Sequence, residues 1–140
     1  MRLVEISNTD ERIIKFGISL PERYLTSPEH DPWWKVYVLV EKSEVRYEAF
    51  YESMLQSELL ELAKCIENSK KFKVGYIEEV DPIEPDYSFK IGVLSGILKI
   101  NMKYADSLCI YLTRENLDEI ALYITDIINS DLSATPTGNT

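Results

Sequence analysis

Apolar residues alternate with polar ones along most of this chain, and twice the alternation gives way to a helical period. Ile14, Phe16, Ile18 and Leu20 fall at every second position, as do Trp34, Val36, Val38 and Val40, and then Val45, Tyr47, Ala49 and Tyr51. Such spacing places one set of side chains on one face of a strand. A shorter strand is predicted over residues 3–6. The link Lys42-Ser43-Glu44 predicts a hairpin between the third and fourth strands. The period then lengthens. Leu55, Leu59, Leu62, Ala63 and Ile66 recur at three- and four-residue steps, which makes one face of a helix. Ser53 and Gln56 have the spacing of a capping box at its start.

Strand spacing returns with Phe72, Val74 and Tyr76, then Tyr87, Phe89, Ile91 and Val93. Ser95-Gly96 suits a two-residue turn. Leu98, Ile100, Met102 and Tyr104 follow, then Leu108, Ile110 and Leu112. Thr113 suits an N-cap, and Leu117, Ile120, Ala121, Ile124 and Ile127 form the stripe of a second helix. The reading is an α+β fold in the order ββββα-ββββα. About eight strands form antiparallel sheets, as a sandwich or half-barrel, with two packed helices over an apolar face. A single domain is expected over residues 1–130, with a disordered, small and polar tail over 131–140. Glu61-Leu62-Ala63-Lys64-Cys65-Ile66 and Glu119-Ile120-Ala121-Leu122-Tyr123-Ile124 occupy matching places, which hints at a duplication of about 1–70 onto 71–130.

Composition narrows the function classes. At 140 residues and 45% hydrophobic content the chain can bury a core without staples. No apolar run approaches the ~20 residues a membrane helix needs, and the N-terminal residues lack the apolar stretch of a signal peptide. A cytoplasmic protein with no membrane association is expected. Cys65 and Cys109, each among apolar neighbours, read as buried small side chains. Charge says more: 24 acidic against 15 basic residues give a formal net charge of −9. That field repels phosphate backbones and disfavours direct nucleic-acid binding. It aids solubility, and it also attracts a basic partner.

No catalytic constellation emerges. The one histidine, His30, stands in a proline-bounded loop with no spacing that supplies an orienting group and a nucleophile. No glycine pattern cradles phosphate. No metal-ligand spacing occurs, and no cofactor or metal is expected. The expectation is a non-enzyme.

Two acidic connections and one aromatic pair are the candidate binding surface. Residues 21–32 form a long connection with three prolines, and it carries Glu22, Glu29 and Asp31. Residues 78–86 hold five acidic residues and no basic one, with Glu78, Glu79 and Asp81 leading the stretch. Loops of this length often carry function. Trp33 and Tyr37 lie on the face of their strand opposite Trp34 and Val36, where an exposed pair would anchor an interface. The other reading is that an element packs over them. Trp34, Tyr47, Tyr51, Tyr76, Tyr87 and Tyr104 fall on the predicted core faces.

Four stretches together resemble the WapI-type immunity proteins of bacterial polymorphic toxin and contact-dependent inhibition systems. They are Trp33-Trp34-Lys35-Val36-Tyr37-Val38, Glu58-Leu59-Leu60-Glu61-Leu62-Ala63, Ile83-Glu84-Pro85-Asp86-Tyr87-Ser88-Phe89 and the amphipathic helix over residues 114–130. The third is similar to the family's Glu-Pro-Asn/Asp-x-x-Phe element. The resemblance covers roughly residues 3–130. It implies a non-enzymatic protein that binds, one to one, the basic toxin domain of a large secreted protein. Such domains are often nucleases, tRNA-cleaving ones among them. The chain lacks the Phe-Pro ending usual in the family, and its 21–32 connection is its own. Partner contacts are expected where it departs from the family pattern: Glu22, Glu29, Asp31, Glu41, Glu44, Glu78, Glu79 and Asp81, with Trp33 and Tyr37. Glu84 is expected to tie down backbone amides as scaffold. The alternatives are a small acidic adaptor or assembly protein and, from another class, a small hydrolase that uses surface carboxylates.

Overall fold

In a computed structural model, described for residues 2–8, 12–18, 33–42, 45–102 and 106–138, the elements follow the predicted order. Side chains are described for 33–41, 46–48, 54–102 and 106–129. Strands β1 (Arg2–Asn8), β2 (Arg12–Ile18), β3 (Trp33–Lys42) and β4 (Val45–Leu55) lead into helix α1 (Gln56–Ser69). Strands β5 (Glu78–Val80), β6 (Tyr87–Ile91), β7 (Ser95–Ile100) and β8 (Leu108–Thr113) lead into helix α2 (Arg114–Gly138). Each set of four pairs antiparallel in chain order, which gives two four-stranded sheets, and neither is closed into a barrel. β3 and β4 form the expected hairpin, with Lys42 opposite Val45 and a register shift between Val36 and Val38.

The helices pack on each other, and each touches both sheets. α1 lies against β4, β5 and β6, while α2 lies against β1, β2, β7 and β8. The core is therefore continuous. Trp34, Val36, Val38 and Val40 of β3 join Leu59, Leu62 and Ile66 of α1, Tyr87, Phe89 and Ile91 of β6, Ile110 of β8 and Leu117, Ile120 and Ile124 of α2. Burial of each such side chain contributes roughly 1.5–3 kcal/mol. The matched helical segments bury matched positions: Leu62, Ala63, Cys65 and Ile66 in α1, and Ile120, Ala121, Tyr123 and Ile124 in α2. No helix among the described residues is long and apolar enough to cross a membrane.

Local chemistry places the element ends. Thr113 caps α2 reciprocally with Asn116. The Asn116 N–H donates to Thr113 Oγ1 at 3.1 Å and the Thr113 N–H to Asn116 Oδ1 at 3.0 Å. The helix then continues to Gly138, past the end near residue 130 that its stripe predicts. Ser53 and Gln56 do not stand at the N-cap and N3 positions, because Leu55 is the N-cap of α1. β4 runs on to Leu55, and Gln56 Oε1 accepts instead from the Trp34 indole at 3.1 Å, which ties β3 to the start of α1. The first strand of the second half is residues 78–80, not 72–76. Gly75 adopts φ +94° within a turned connection, so the alternation of Phe72, Val74 and Tyr76 lies on no sheet. The β6–β7 turn falls at Val93-Leu94, where the Gly92 N–H donates to Ser95 O at 2.9 Å. Ser95 and Gly96 already belong to β7.

Candidate functional site

The acidic connection following β5 begins on an edge strand. Among the described residues β5 pairs only with β6, with Glu78 opposite Ile91, Glu79 opposite Lys90 and Val80 opposite Phe89. Strand alternation sends Glu78 toward α1 and Glu79 to the outer face. Glu78 is engaged internally: Oε2 accepts from Cys65 Sγ at 3.4 Å and Oε1 from the Tyr76 hydroxyl at 3.1 Å. Glu79, Asp81 and Glu84 are exposed, and among the described residues none of the three makes an ion pair or a side-chain hydrogen bond. Pro82, between Asp81 and Glu84, and Pro85, directly after Glu84, are buried and anchor the connection.

The clamp on this connection is Glu58, not Glu84. Glu58 Oε1 accepts from the Leu55 N–H at 2.9 Å at the start of α1, and Oε2 accepts from the Ile83 N–H at 2.8 Å. One carboxylate thus satisfies a helix-end amide and fixes a segment 25 residues away. Glu58→Ala is expected to cost roughly 1–2 kcal/mol. It should also raise hydrogen exchange at the Ile83 amide well beyond the global change. An unaltered Ile83 rate would show that the clamp does not hold the loop.

Burial first, and then the hydrogen bond to Glu78 and that residue's charge, push the Cys65 thiol up from 9.0 to about 12. The Tyr76 hydroxyl is raised by its bond to Glu78 and the same charge. Cys65 is therefore no nucleophile near neutral pH. Cys109 was expected to be buried as well, but β8 alternation turns it to the outer face and it is exposed. At about pH 8 a thiol reagent should label Cys109 alone until the chain unfolds. The raised thiol also makes stability pH-dependent. Below about 9 both folded and unfolded states hold the proton, so the contribution is constant. Between about 9 and about 12 the unfolded thiol ionises and the folded one does not. Stability should fall through that window by up to ~1.4 kcal/mol per pH unit from this group. Urea midpoints of the parent and of Cys65→Ala across the window check this. Equal slopes would refute it.

On the first sheet the aromatic pair is not an exposed anchor. Tyr37 is 7% exposed and Trp33 half-buried, because β3 is an inner strand and is covered on both faces at Tyr37 and Leu39. The Tyr37 hydroxyl donates to Glu48 Oε1 at 3.2 Å. Burial and then this bond raise its pKa. Arg46 pairs with Glu48 at 3.0 Å and with Glu41 at 3.5 Å, so Glu41 is partly neutralised. Glu22, Glu29, Asp31 and Glu44 lie outside the described residues, as does His30. Among the expected contact residues, the structure brings Glu78, Glu79 and Asp81 into one stretch on the second sheet and Trp33, Tyr37 and Glu41 into another on the first.

No family model, curated protein or solved structure matches this chain. The resemblance to WapI-type immunity proteins thus stands on the four sequence stretches, and chemistry must come from the surface itself. Among the described residues no group of three or more His, Cys, Asp or Glu side chains is placed to hold a metal ion. The described surface offers exposed carboxylates without ion-pair partners among the described residues, on β5 and on the proline-anchored connection after it. Sequence reasoning missed Glu58 and Glu48, which hide in ordinary helix and strand patterns. A Glu three residues after a helix start was the one available signal for the first.

Proposed function

We propose that the chain is an immunity protein that binds a cognate bacterial toxin domain one to one and neutralises it by occluding a basic active-site cleft. The toxin is a nuclease in this reading, and the site of action is the cytoplasm. The supporting observation is the set Glu79, Asp81 and Glu84: exposed and without cation partners among the described residues, with Glu79 on edge strand β5 and Asp81 and Glu84 on the connection after it, whose backbone Glu58 pins at Ile83. A backbone held in place loses little freedom on binding, and it carries these carboxylates to solvent where Lys and Arg side chains can meet them. A cleft built for a phosphate backbone is lined with such side chains. The net charge of −9 steers encounter in the same direction. The resemblance of the four stretches points to the same role. Occlusion needs no reacting group, so the reading is of a non-enzyme.

The test is coexpression with the product of the adjacent upstream gene. Cells should survive that product only when the chain is present, and the two should co-purify one to one. Absence of both rescue and co-purification would sink the proposal. Co-purification without rescue would favour an adaptor.

A further inference from the structure

The connection 72–77 and the β6–β7 turn meet at one end of the second sheet. Phe72 packs edge-on against Tyr76 with ring centroids 4.8 Å apart, and the Tyr76 N–H donates to Lys73 O at 3.0 Å. Facing them, the Gly92–Ser95 hydrogen bond closes the turn. The two loops touch: Tyr76 O and Ile77 Cγ1 lie 3.5 and 3.9 Å from where a Cβ on Gly92 would stand. On this braced scaffold four large apolar side chains are turned to solvent. Val74 is 82% exposed, Leu94 68%, Ile77 57% and Tyr76 50%. Scattered exposed apolar residues need no explanation, but a group presented by two braced, touching loops marks an interaction surface.

We infer that this end of the second sheet is a docking surface for a folded protein whose contact region is apolar at its centre and basic on one side. The basic side follows from charge complementarity. Glu78 and Glu79 flank the apolar group on β5, and Glu79 has no cation partner among the described residues. Lys71 and Lys73 are exposed on the α1 flank, so the carboxylate side and the ammonium side fix which way the partner sits. A second copy would bring like charge against like at −9 per chain. The inference rests on the reading of the chain as an inhibitor that works by binding. It moves the contact centre from the acidic residues alone to the apolar group beside them, where a desolvated centre around Tyr76 supplies most binding energy and the carboxylates supply rate and orientation.

The experiment compares the full chain, the double variant Val74→Asp/Leu94→Asp and the control Leu122→Asp against the purified polypeptide encoded directly upstream. Leu122 is 63% exposed on α2, about 12 Å of helix rise past Arg114, whose guanidinium touches the β6–β7 turn, so the control carries the same kind of change at a distance. Urea midpoints check that all three remain folded. Hydrogen exchange on the parent complex gives a second readout without any substitution. The double variant should bind roughly 100-fold more weakly or worse and the control within about twofold of the parent. Amides in 73–77 and 92–95 should gain protection in the complex. If the parent binds but the double variant matches it and those amides gain nothing, the docking surface is wrong while the inhibitor reading survives. If the parent does not bind at all, both fall. If sedimentation shows the free chain self-associating through this end, with the heterocomplex indifferent to the double variant, the occupant is a second copy and the inference is overturned.

Discussion

Replacing Gly96 with alanine should destabilise the chain by about 3 kcal/mol, at the upper end of the cost of overpacking. Gly96 sits inside β7, opposite Ile91 on one side and Leu112 on the other. A Cβ there would lie 2.6 Å from the carbonyl oxygen of Lys90 and 3.2 Å from Leu117 Cδ2. The leucine can give by a few tenths of an ångström. The carbonyl cannot, because it belongs to the neighbouring strand β6, paired on both sides. The glycine also lets the first turn of α2 close down on the sheet, since Leu117 is fully buried against it. Relief would mean lifting α2 or opening the β6–β7 ladder. Urea unfolding should show a lower midpoint with an unchanged slope. Against a total of roughly 5–15 kcal/mol for a domain this loss is severe. Alanine at Gly92, where the nearest atom would be 3.3 Å away, should cost less.

The second large effect is expected at Arg114, where α2 begins. Its guanidinium donates to Ser69 Oγ at 2.7 Å, to Ile66 O at 3.0 Å, to Val93 O at 3.2 Å, and to Asp118 Oδ1 at 2.8 and 3.1 Å. One side chain thereby ties the last turn of α1, the β6–β7 turn and the first turn of α2. Ile66 O and Ser69 stand at the negative end of α1, where a cation is favoured. The side chain is only 23% exposed, so the acceptors it leaves are poorly reached by water. Arg114→Ala is expected to cost roughly 2–3 kcal/mol, above the ~1 kcal/mol ceiling of an ordinary surface pair. Arg114→Lys should recover part of it, since an ammonium cannot reach so many acceptors from one position. A double-mutant cycle with Asp118→Asn separates the ion pair from the carbonyl contacts. A loss below about 0.5 kcal/mol for Arg114→Ala would show that the junction does not depend on it.

The element order was legible because most strands and both helices bury one face, and a buried face writes a period of two or of three to four into the sequence. Thr113 was legible as a cap because the cap chemistry is local. What escaped depends on contacts distant in sequence. β5 has a single apolar residue, Val80, and becomes a strand by pairing with β6. Phe72, Val74 and Tyr76 imitate a strand, yet Tyr76 is half exposed rather than core. Gly96 resembles a turn residue and is instead a strand position with no room for a Cβ, against the Lys90 carbonyl and the Leu117 side chain. Tyr37 could be read either as a surface anchor or as covered, because alternation cannot reveal whether an inner strand is covered on both faces; it is 7% exposed. For the candidate site, composition located the acidic connection. Which of its carboxylates are spoken for was invisible, because Glu78 is engaged by Cys65 and Tyr76, and the clamp Glu58 reads as ordinary helix surface.

If the chain acts as proposed, the exposed carboxylates of β5 and of the connection after it recognise a basic protein. The most direct measurement is the affinity of the one-to-one complex with the upstream-encoded polypeptide at rising salt, for the parent chain and for Glu79→Gln/Asp81→Asn/Glu84→Gln. The parent's affinity should fall steeply with salt. The triple variant should start about tenfold or more weaker at low salt and show a flatter dependence. A parent complex whose affinity does not change with salt, or a triple variant indistinguishable from it, would contradict recognition by charge.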